Sequence, residues 1–95
     1  MAKLDKRARY NQFSKVGDKF CIGGSEIFHI WKGDTGMGIW TWYCTQITTK
    51  NKIPSTYYGY VQGVEAEWGS WYASHMKGMQ EIPKEEWSEV IELSA

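Results

Sequence analysis

The sequence predicts an α+β fold, with an antiparallel sheet of about four strands packed by a C-terminal helix and a short helix near the N-terminus. Residues 39–47 and 57–68 alternate with the two-residue period of strands, and residues 83–93 place apolar side chains at helical spacing. Glycine-rich turns separate these runs. At 95 residues, the chain has room for one domain, residues 1–95, with one core.

The N-terminal element is predicted from residues 3–13, which contain neither Gly nor Pro. Leu4 and Ala8 give this segment only a thin apolar stripe, so a short helix and a mobile arm both stay open. Residues 1–15 form a basic N-terminal segment with more Lys and Arg than acidic side chains.

The sheet region is expected to span residues 19–72. Its first strand, residues 19–22, ends at Gly23 and Gly24, which suit a hairpin because both can adopt positive φ. Residues 25–32 are rich in Ile, Phe and Trp and predict a second strand. Three glycines within residues 33–38 predict a loop after it.

The two central strands carry bulky side chains on both faces. In residues 39–47, Trp40 and Trp42 alternate with Thr41 and Tyr43, so we expect both faces to be at least partly covered. Residues 57–68 are interpreted as one long strand. On it, Tyr58, Tyr60, Gln62, Val64, Ala66 and Trp68 share the expected core face. Glycines 59 and 63 on the other face indicate a bulge or the close approach of another group.

Two helices are predicted after the sheet, which should end with residues 69–72. Ser74 is placed to cap a short helix that stops at Gly78. Residues 83–93 predict an acidic amphipathic helix, because Pro83 suits its first turn and Trp87 begins an apolar stripe. That stripe should pack on the sheet.

The net charge of zero hides a polarised chain. Residues 1–52 hold nine basic and four acidic side chains (+5), whereas residues 53–95 hold two basic and seven acidic ones (−5). Two interpretations stay open: solvated ends that contribute little, and a docking surface for phosphate or for a basic partner. Zero net charge leaves self-association electrostatically unopposed.

No signal peptide or membrane span is predicted. No apolar run approaches 18 residues, and the charged N-terminus lacks a following apolar segment. We therefore expect a cytoplasmic protein without membrane contact.

The cysteines and histidines predict neither a metal site nor a cofactor. Cys21 and Cys44 belong to no paired motif, and His29 and His75 stand at no ligand spacing from them. Two buried, reduced thiols are the expectation for a cytosolic chain. A nucleophilic pair of Cys and His lacks any activating context in the sequence.

Two motifs stand out in the central strands. The first is Trp40-Thr41-Trp42-Tyr43. The second is Tyr57-Tyr58-Gly59-Tyr60-Val61-Gln62-Gly63-Val64-Glu65-Ala66-Glu67-Trp68-Gly69. Together they resemble an uncharacterised family of small proteins carried by plasmids and phages, and a phage-encoded chain would be expected in the host cytoplasm. The similarity covers residues 27–79 and includes Ser74, but residues 69–73 depart from the family's Gly-Tyr-Phe-Ser-Leu. It implies an α+β fold and a mobile-element origin. The family has no established activity.

Glu65 and Glu67 are candidate functional acids. Two residues apart on one strand, they would leave the same face with backbones about 7 Å apart. Three roles stay open for them: a glycosidase-like acid and base pair, partner binding, and a solvated sheet face. A chain of 95 residues leaves little scaffold for a sugar cleft, so we predict no enzymatic activity.

The aromatic side chains are the main candidates for binding. Ten of the fifteen lie between Trp31 and Tyr72, more than one core face requires. With the two acids, the predicted partner-binding residues are Trp31, Tyr43, Tyr57, Glu65, Glu67, Trp71 and Tyr72. The predicted phosphate contacts, should the partner be a nucleic acid, are Lys6, Arg7, Arg9, Lys50 and Lys52.

The resulting hypothesis is a non-enzymatic binding protein. The resemblance adds a phage or plasmid accessory role, with a host protein such as a defence-system component as the inhibited partner. One alternative is a single-stranded nucleic-acid-binding protein with an aromatic platform and a basic arm. Another is a homo-oligomer that holds a small nucleotide at the glycine-rich loop 33–38, which lacks the Lys and Ser/Thr of a P-loop.

Overall fold

The computed structural model describes residues 12–94 and contains two antiparallel sheets, two 3₁₀ helices and a short C-terminal helix. The strands are β1 Phe13–Val16, β2 Lys19–Ile22, β3 Ser25–Glu26, β4 His29–Asp34, β5 Ile39–Lys50, β6 Ile53–Gln62, β7 Ala66–Tyr72 and β8 Gln80–Glu81. The α+β class is confirmed. The single sheet of about four strands is wrong, because the strands divide into a three-stranded and a five-stranded sheet.

The three-stranded sheet is a meander in the order β1-β2-β3. Gly23 and Gly24 join β2 to β3 with φ values of 59° and 83°, which confirms the predicted hairpin. The predicted N-terminal helix lies outside the described residues as far as residue 11. Its last predicted residue, Phe13, begins β1 instead.

The predicted strand over residues 25–32 is interrupted where the chain passes from one sheet to the other. The amide of Ile27 donates to the carbonyl of Phe20 in β2 at 2.8 Å. The next amide, that of Phe28, donates to the carbonyl of Cys44 in β5, also at 2.8 Å. The change of partner within one residue separates β3 from β4.

The five-stranded sheet has the order β7-β6-β5-β4-β8 around a long central hairpin of β5 and β6. Asn51 and Lys52 turn this hairpin with φ values of 55° and 68°. The prediction of one strand over residues 57–68 is wrong, because β6 ends at Gln62 and β7 begins at Ala66. The amide of Gly63 donates to the carbonyl of Glu65 and closes the turn between them.

Gly59 and Gly63 both stand where another group approaches closely, as the sequence predicts. The register of β5 and β6 shifts between Cys44 and Gln46, and a Cβ atom at Gly59 would collide with the carbonyl of Tyr43. At Gly63, a Cβ atom would come within 2.7 Å of the Trp40 ring. Each glycine therefore makes room for a specific neighbour.

Both faces of the five-stranded sheet are covered. The sandwich face carries Ile30, Tyr43 and Tyr60, and packs against the three-stranded sheet and the C-terminal helix. The aromatic face carries a second cluster of four sheet residues. The 3₁₀ helix Ala73–Gly78 covers this cluster. These four residues are Trp31, Trp42, Cys44 and Tyr57. The expectation that both faces of residues 39–47 are covered is confirmed.

The expected core face of residues 57–68 is only partly correct. Tyr60 is buried and Trp68 packs at the edge of the sandwich-face cluster. Tyr58 is 41% exposed, and Val64 is 67% exposed because it lies in the turn between β6 and β7. Ala66 is also exposed.

Three helical segments follow β7: a 3₁₀ helix, Ala73–Gly78, a second 3₁₀ helix, Lys84–Glu86, and α1, Trp87–Ser94. Ser74 does not cap the first, because it lies inside the helix, whose N-cap Tyr72 has no side-chain bond to the helix. The helix predicted over residues 83–93 is divided into the second 3₁₀ helix and α1. Its predicted apolar stripe is confirmed: Trp87 is buried, and Val90 and Ile91 pack against the sandwich-face cluster. Among residues 12–94, no helix is long and apolar enough to cross a bilayer.

Candidate partner-binding site

An open cavity of about 220 Å³ lies at one end of the five-stranded sheet, between the β4–β5 turn and the β6–β7 turn. Its lining combines apolar side chains with two carboxylates. The lining residues are Met37, Trp40, Val61, Val64, Glu65 and Glu67. We call this site the acidic cavity, because two carboxylates and no Lys or Arg contribute to its lining.

The indole of Trp40 is the aromatic wall of the acidic cavity. Trp40 lies on β5 beside Trp42, with ring centroids 6.1 Å apart. Its ring covers Gly63 at the end of β6, where only a glycine leaves room for it. The absence of a side chain at Gly63 therefore makes room for the Trp40 ring on the neighbouring strand.

The β4–β5 turn holds Met37 at the rim of the cavity. The carboxylate of Asp34 accepts a hydrogen bond from the Gly36 amide at 2.8 Å, and the Thr35 amide donates to the Gly38 carbonyl. These bonds leave the Met37 side chain 70% exposed. The predicted glycine-rich loop is thus a hairpin turn with a carboxylate on one of its amides, which disfavours an anionic phosphate there.

The two candidate acids reach the same cavity from different elements. Glu65 lies in the β6–β7 turn, whereas Glu67 lies on β7 opposite Val61 of β6. The expectation that both leave one continuous strand is therefore wrong. Both acids are exposed residues beside apolar neighbours, Val61 and Val64 among them.

The other predicted binding residues do not form one surface. Trp31 and Tyr57 are buried on the aromatic face, with Trp71 half-buried beside them. Tyr43 is fully buried in the sandwich-face cluster, so the rings of Tyr43, Trp31 and Tyr57 are all covered in this structure. Tyr72 is 61% exposed and packs edge-on against His75.

The rings of the aromatic face form a continuous row. His29 stacks on Trp31 with centroids 5.1 Å apart, Trp31 meets Tyr57 at 4.9 Å, and Tyr57 meets Trp71 at 6.0 Å. At the open end of the row, His29 Nδ1 and Glu81 Oε2 are 2.7 Å apart in a hydrogen bond that links β4 to β8. The row therefore connects both edges of the sheet.

The chemistry of this row does not favour nucleophilic catalysis. His29 lies directly across from Cys44 in the β4–β5 ladder. Burial, however, raises the pKa of the Cys44 thiol to about 11, so the nucleophilic thiolate is scarce at neutral pH. Burial also raises the pKa of Tyr57, and the negative charges of Cys44 and Glu81 raise it further.

Two indole nitrogens near this face are buried without a hydrogen-bond partner among the described residues. They are Nε1 of Trp40 and Nε1 of Trp71. A buried donor without an acceptor costs about 1 to 3 kcal/mol, and native cores satisfy nearly all such groups. The sandwich face, by contrast, pairs the Nε1 of Trp87 with the carbonyl of Ile82 at 2.8 Å.

Two of the predicted phosphate contacts, Lys50 and Lys52, lie at the other end of the sheet from the acidic cavity. Lys50 and Lys52 stand at the turn of the β5–β6 hairpin, at the opposite end of β5 from Trp40. Beyond the pair of Thr56 with Tyr72, this hairpin continues without β7 as a projecting ribbon, residues 49–55. Lys6, Arg7 and Arg9 lie outside the described residues.

Sequence reasoning missed four residues of the cavity: Met37, Trp40, Val61 and Val64. It predicted Trp40 on a covered strand face and Val64 on a continuous strand. The available signal was the sequence from Gly63 to Ala66, where a glycine, a glutamate and an alanine interrupt a run of large side chains. A turn there brings the start of β7 to the same end of the sheet as the start of β5, with the end of β6 between them.

Within the part of the chain that the structure describes, no three His, Cys, Asp or Glu side chains are grouped to hold a metal ion. The two cysteines are free and buried. No protein family, curated protein or solved structure matches this chain.

Proposed function

We propose that this chain is a non-enzymatic binding protein whose acidic cavity receives a basic side chain, Lys or Arg, of a partner protein. One observation carries the proposal: the cavity joins an indole wall to two carboxylates and contains no opposing cation. A cation over the face of a Trp ring is attracted by about 0.5 to 2 kcal/mol, and the carboxylates add charge-assisted hydrogen bonds.

The size and polarity of the cavity support a side chain as the ligand. Its volume of about 220 Å³ is below the roughly 300 to 1,000 Å³ typical of drug-sized ligands. Lys and Arg have apolar stems and charged heads. Met37, Val61 and Val64 would contact the stem, while Glu65 and Glu67 would contact the head.

The partner in this proposal is a host protein. The present chain binds that partner as an accessory factor of a phage or plasmid. This part rests on the resemblance of residues 27–79 to mobile-element proteins and extends to inhibition of a defence-system component. The absence of catalysis is proposed because the buried Cys44 thiol is held in its unreactive protonated form.

The first test is a nuclear magnetic resonance titration of the ¹⁵N-labelled full chain with a blocked Gly-Arg-Gly peptide. The neutral control peptide carries citrulline in place of arginine. We expect the Trp40 indole resonance to shift saturably with the arginine peptide alone. An equal response to both peptides, or none to either, contradicts the proposal.

The matched variants are Glu67→Gln in the cavity and Glu85→Gln near α1, where Glu85 is exposed. Losing a hydrogen bond to a charged group costs about 1.5 to 3 kcal/mol, so Glu67→Gln should weaken arginine binding at least tenfold. Glu85→Gln should leave it unchanged. Affinity capture from host lysate should then recover a protein that Glu67→Gln fails to retain.

The projecting ribbon supports a second candidate function, single-stranded nucleic-acid binding. Lys50 and Lys52 face no acid in sequence, since residues 35–64 contain none. Tyr58 and Tyr72, on the strands beside the ribbon, are 41% and 61% exposed. Two exposed rings beside two lysines suit stacking on bases and contact with phosphates.

The second candidate is tested by fluorescence anisotropy of a labelled oligothymidylate at rising salt. If both lysines contact phosphates, the double variant Lys50→Gln, Lys52→Gln should reduce the slope of log K against log salt by about 1.4. Tyr72→Ala should weaken binding by about 1 to 3 kcal/mol through lost stacking. Binding that ignores salt and these variants contradicts a role for the ribbon.

A further inference from the structure

The outer strands of the two sheets differ in how well they resist edge-to-edge pairing. β3 and β8 contain two residues each, and Pro83 follows β8 closely. β1 has four residues and carries Lys15. Short strands, lysines and prolines are the features by which natural sheets discourage pairing at an edge.

β7 lacks all of these features. It has seven residues, Ala66–Tyr72, contains neither Lys nor Pro, and has a single charged side chain, that of Glu67. Among residues 12–94 it pairs only with β6, and its other side is an outer edge of the five-stranded sheet. A long, nearly uncharged edge presents backbone N–H and C=O groups as a template for another strand.

We propose that the β7 strands of two copies pair antiparallel about Gly69, so that a two-fold symmetric dimer contains one continuous ten-stranded sheet. A symmetric interface uses the same surface of both subunits, as pairing of one strand with itself requires. We assign a second copy of this chain to this edge because the order and the charge of the β7 side chains both suit such pairing.

The order of side chains along β7 suits this register. With Gly69 at the two-fold axis, Trp68 lies opposite Ser70 of the second copy, and Ala66 lies opposite Tyr72. Each of these two rings thus meets a small residue rather than another ring. Directly opposed side chains in an antiparallel pair are about 4.5 to 5.5 Å apart, so large and small residues alternate without a clash.

Charge also permits the pairing. Glu67 lies opposite Trp71 of the second copy, and four residues of strand separate the two copies of Glu67 by roughly 14 Å. This distance exceeds the Debye length of about 8 Å at physiological salt. The chain's net charge of zero adds no long-range repulsion between copies.

The interface should be weak, because a seven-residue strand pair buries less than the roughly 1,200 to 2,000 Å² of stable complexes. Sedimentation of the full chain should therefore show a reversible dimer with a dissociation constant of roughly micromolar order. If the chain stays monomeric well above that concentration, the proposal is overturned. The occupant of the edge would then be another protein or another segment of this chain.

A thiol at Gly69 tests the register. No described atom lies within 4 Å of a Cβ placed there, and Gly69 is not among the glycines with positive φ, so Gly69→Cys should fold. Opposed residues at a two-fold axis have Cα atoms about 4.5 to 5.5 Å apart, within the range of a disulfide. Mild oxidation should link two copies completely, since the native thiols of Cys21 and Cys44 are buried.

The matched control is Gly78→Cys, because Gly78 also has open space around it but lies off the edge. Its oxidation should give little linked dimer. Equal linking through both introduced thiols would mean random collision and would overturn the register.

Charge on the edge gives an independent test. Ser70→Lys puts two lysines on diagonal positions about 7 to 8 Å apart in the dimer, where they repel. We expect the dissociation constant to rise at least tenfold. Ser74→Lys makes the same change in the 3₁₀ helix, off the edge, and should leave it unchanged. A dimer that tolerates Ser70→Lys uses another surface.

Discussion

The two faces of the five-stranded sheet bury similar kinds of side chain but satisfy their polar atoms differently. On the sandwich face, the Tyr43 hydroxyl donates to Gln62 at 2.8 Å, and the Trp87 indole donates to the Ile82 carbonyl at 2.8 Å. On the aromatic face and at its end, the indole nitrogens of Trp40 and Trp71 have no acceptor among the described residues.

This difference distinguishes a face whose polar groups are satisfied from the face beside the proposed binding site. Satisfied polar groups hold a core in one arrangement, whereas each unsatisfied group costs free energy and calls for an explanation. The acidic cavity opens at Trp40, the residue with one of the two unpaired nitrogens. The aromatic face therefore combines its cover, the short 3₁₀ helix, with the proposed binding site.

The largest expected effect comes from deleting the central ring of the sandwich face. Tyr43 is fully buried, so Tyr43→Ala should lower the free energy of unfolding by about 3 to 5 kcal/mol through lost burial and a new cavity. Urea denaturation followed by circular dichroism measures the change.

Tyr58→Ala is the matched control on the next strand, because Tyr58 is 41% exposed. It should cost much less than Tyr43→Ala. A similar small loss in both variants would mean that the sandwich face is not the principal core.

The next effect compares two glycines that face each other across β6 and β7. At Gly59, an added Cβ collides with the backbone carbonyl of Tyr43, which cannot rotate away, so Gly59→Ala should cost about 2 to 3 kcal/mol. Gly69 pairs with Gly59 and has open space, so Gly69→Ala should be neutral or slightly stabilising. Thermal unfolding of both variants, at concentrations too low for the proposed dimer to form, measures the difference in stability.

Sequence alone predicted the central strand and the terminal helix because their periods are local properties. Residues 39–47 fall within β5, and Trp87, Val90 and Ile91 pack inward as their spacing predicts. The alternation pattern did not reveal the β6–β7 hairpin, for a geometric reason. In the β6–β7 pair, opposed residues differ by an even number, as Tyr60 and Trp68 do, so alternation continues in phase through the turn.

Which rings are buried could not be predicted from local sequence patterns either. Trp31 and Tyr57 are buried by the 3₁₀ helix, and Tyr43 is buried by the three-stranded sheet. Both covers are separate segments whose docking depends on the whole fold. For the same reason the sequence identified Glu65 and Glu67 as candidates, but not the cavity that they share with Trp40.

A third, smaller effect compares a paired indole with an unpaired one. Trp87→Phe removes the hydrogen bond to Ile82 and leaves a buried carbonyl without its donor, so it should cost about 1 to 3 kcal/mol. Trp71→Phe removes a donor that has no described acceptor, which offsets part of the lost packing. We expect Trp71→Phe to cost at least 1 kcal/mol less than Trp87→Phe in denaturant titrations.

The smallest expected effect is a loss of stability at alkaline pH that originates on the aromatic face. Burial raises the pKa of the Cys44 thiol from 9.0 to about 11. Between these values the unfolded chain releases a proton that the folded chain retains, so the free energy of unfolding falls as pH rises. The contribution is complete below pH 9 and should decline by on the order of 1 to 2 kcal/mol by pH 11.

Cys44→Ala should flatten this decline between pH 9 and pH 10, while the raised pKa values of Tyr57 and Tyr60 maintain a decline above pH 10. An identical pH profile for the variant and the wild type would show that the aromatic face does not hold this thiol away from solvent.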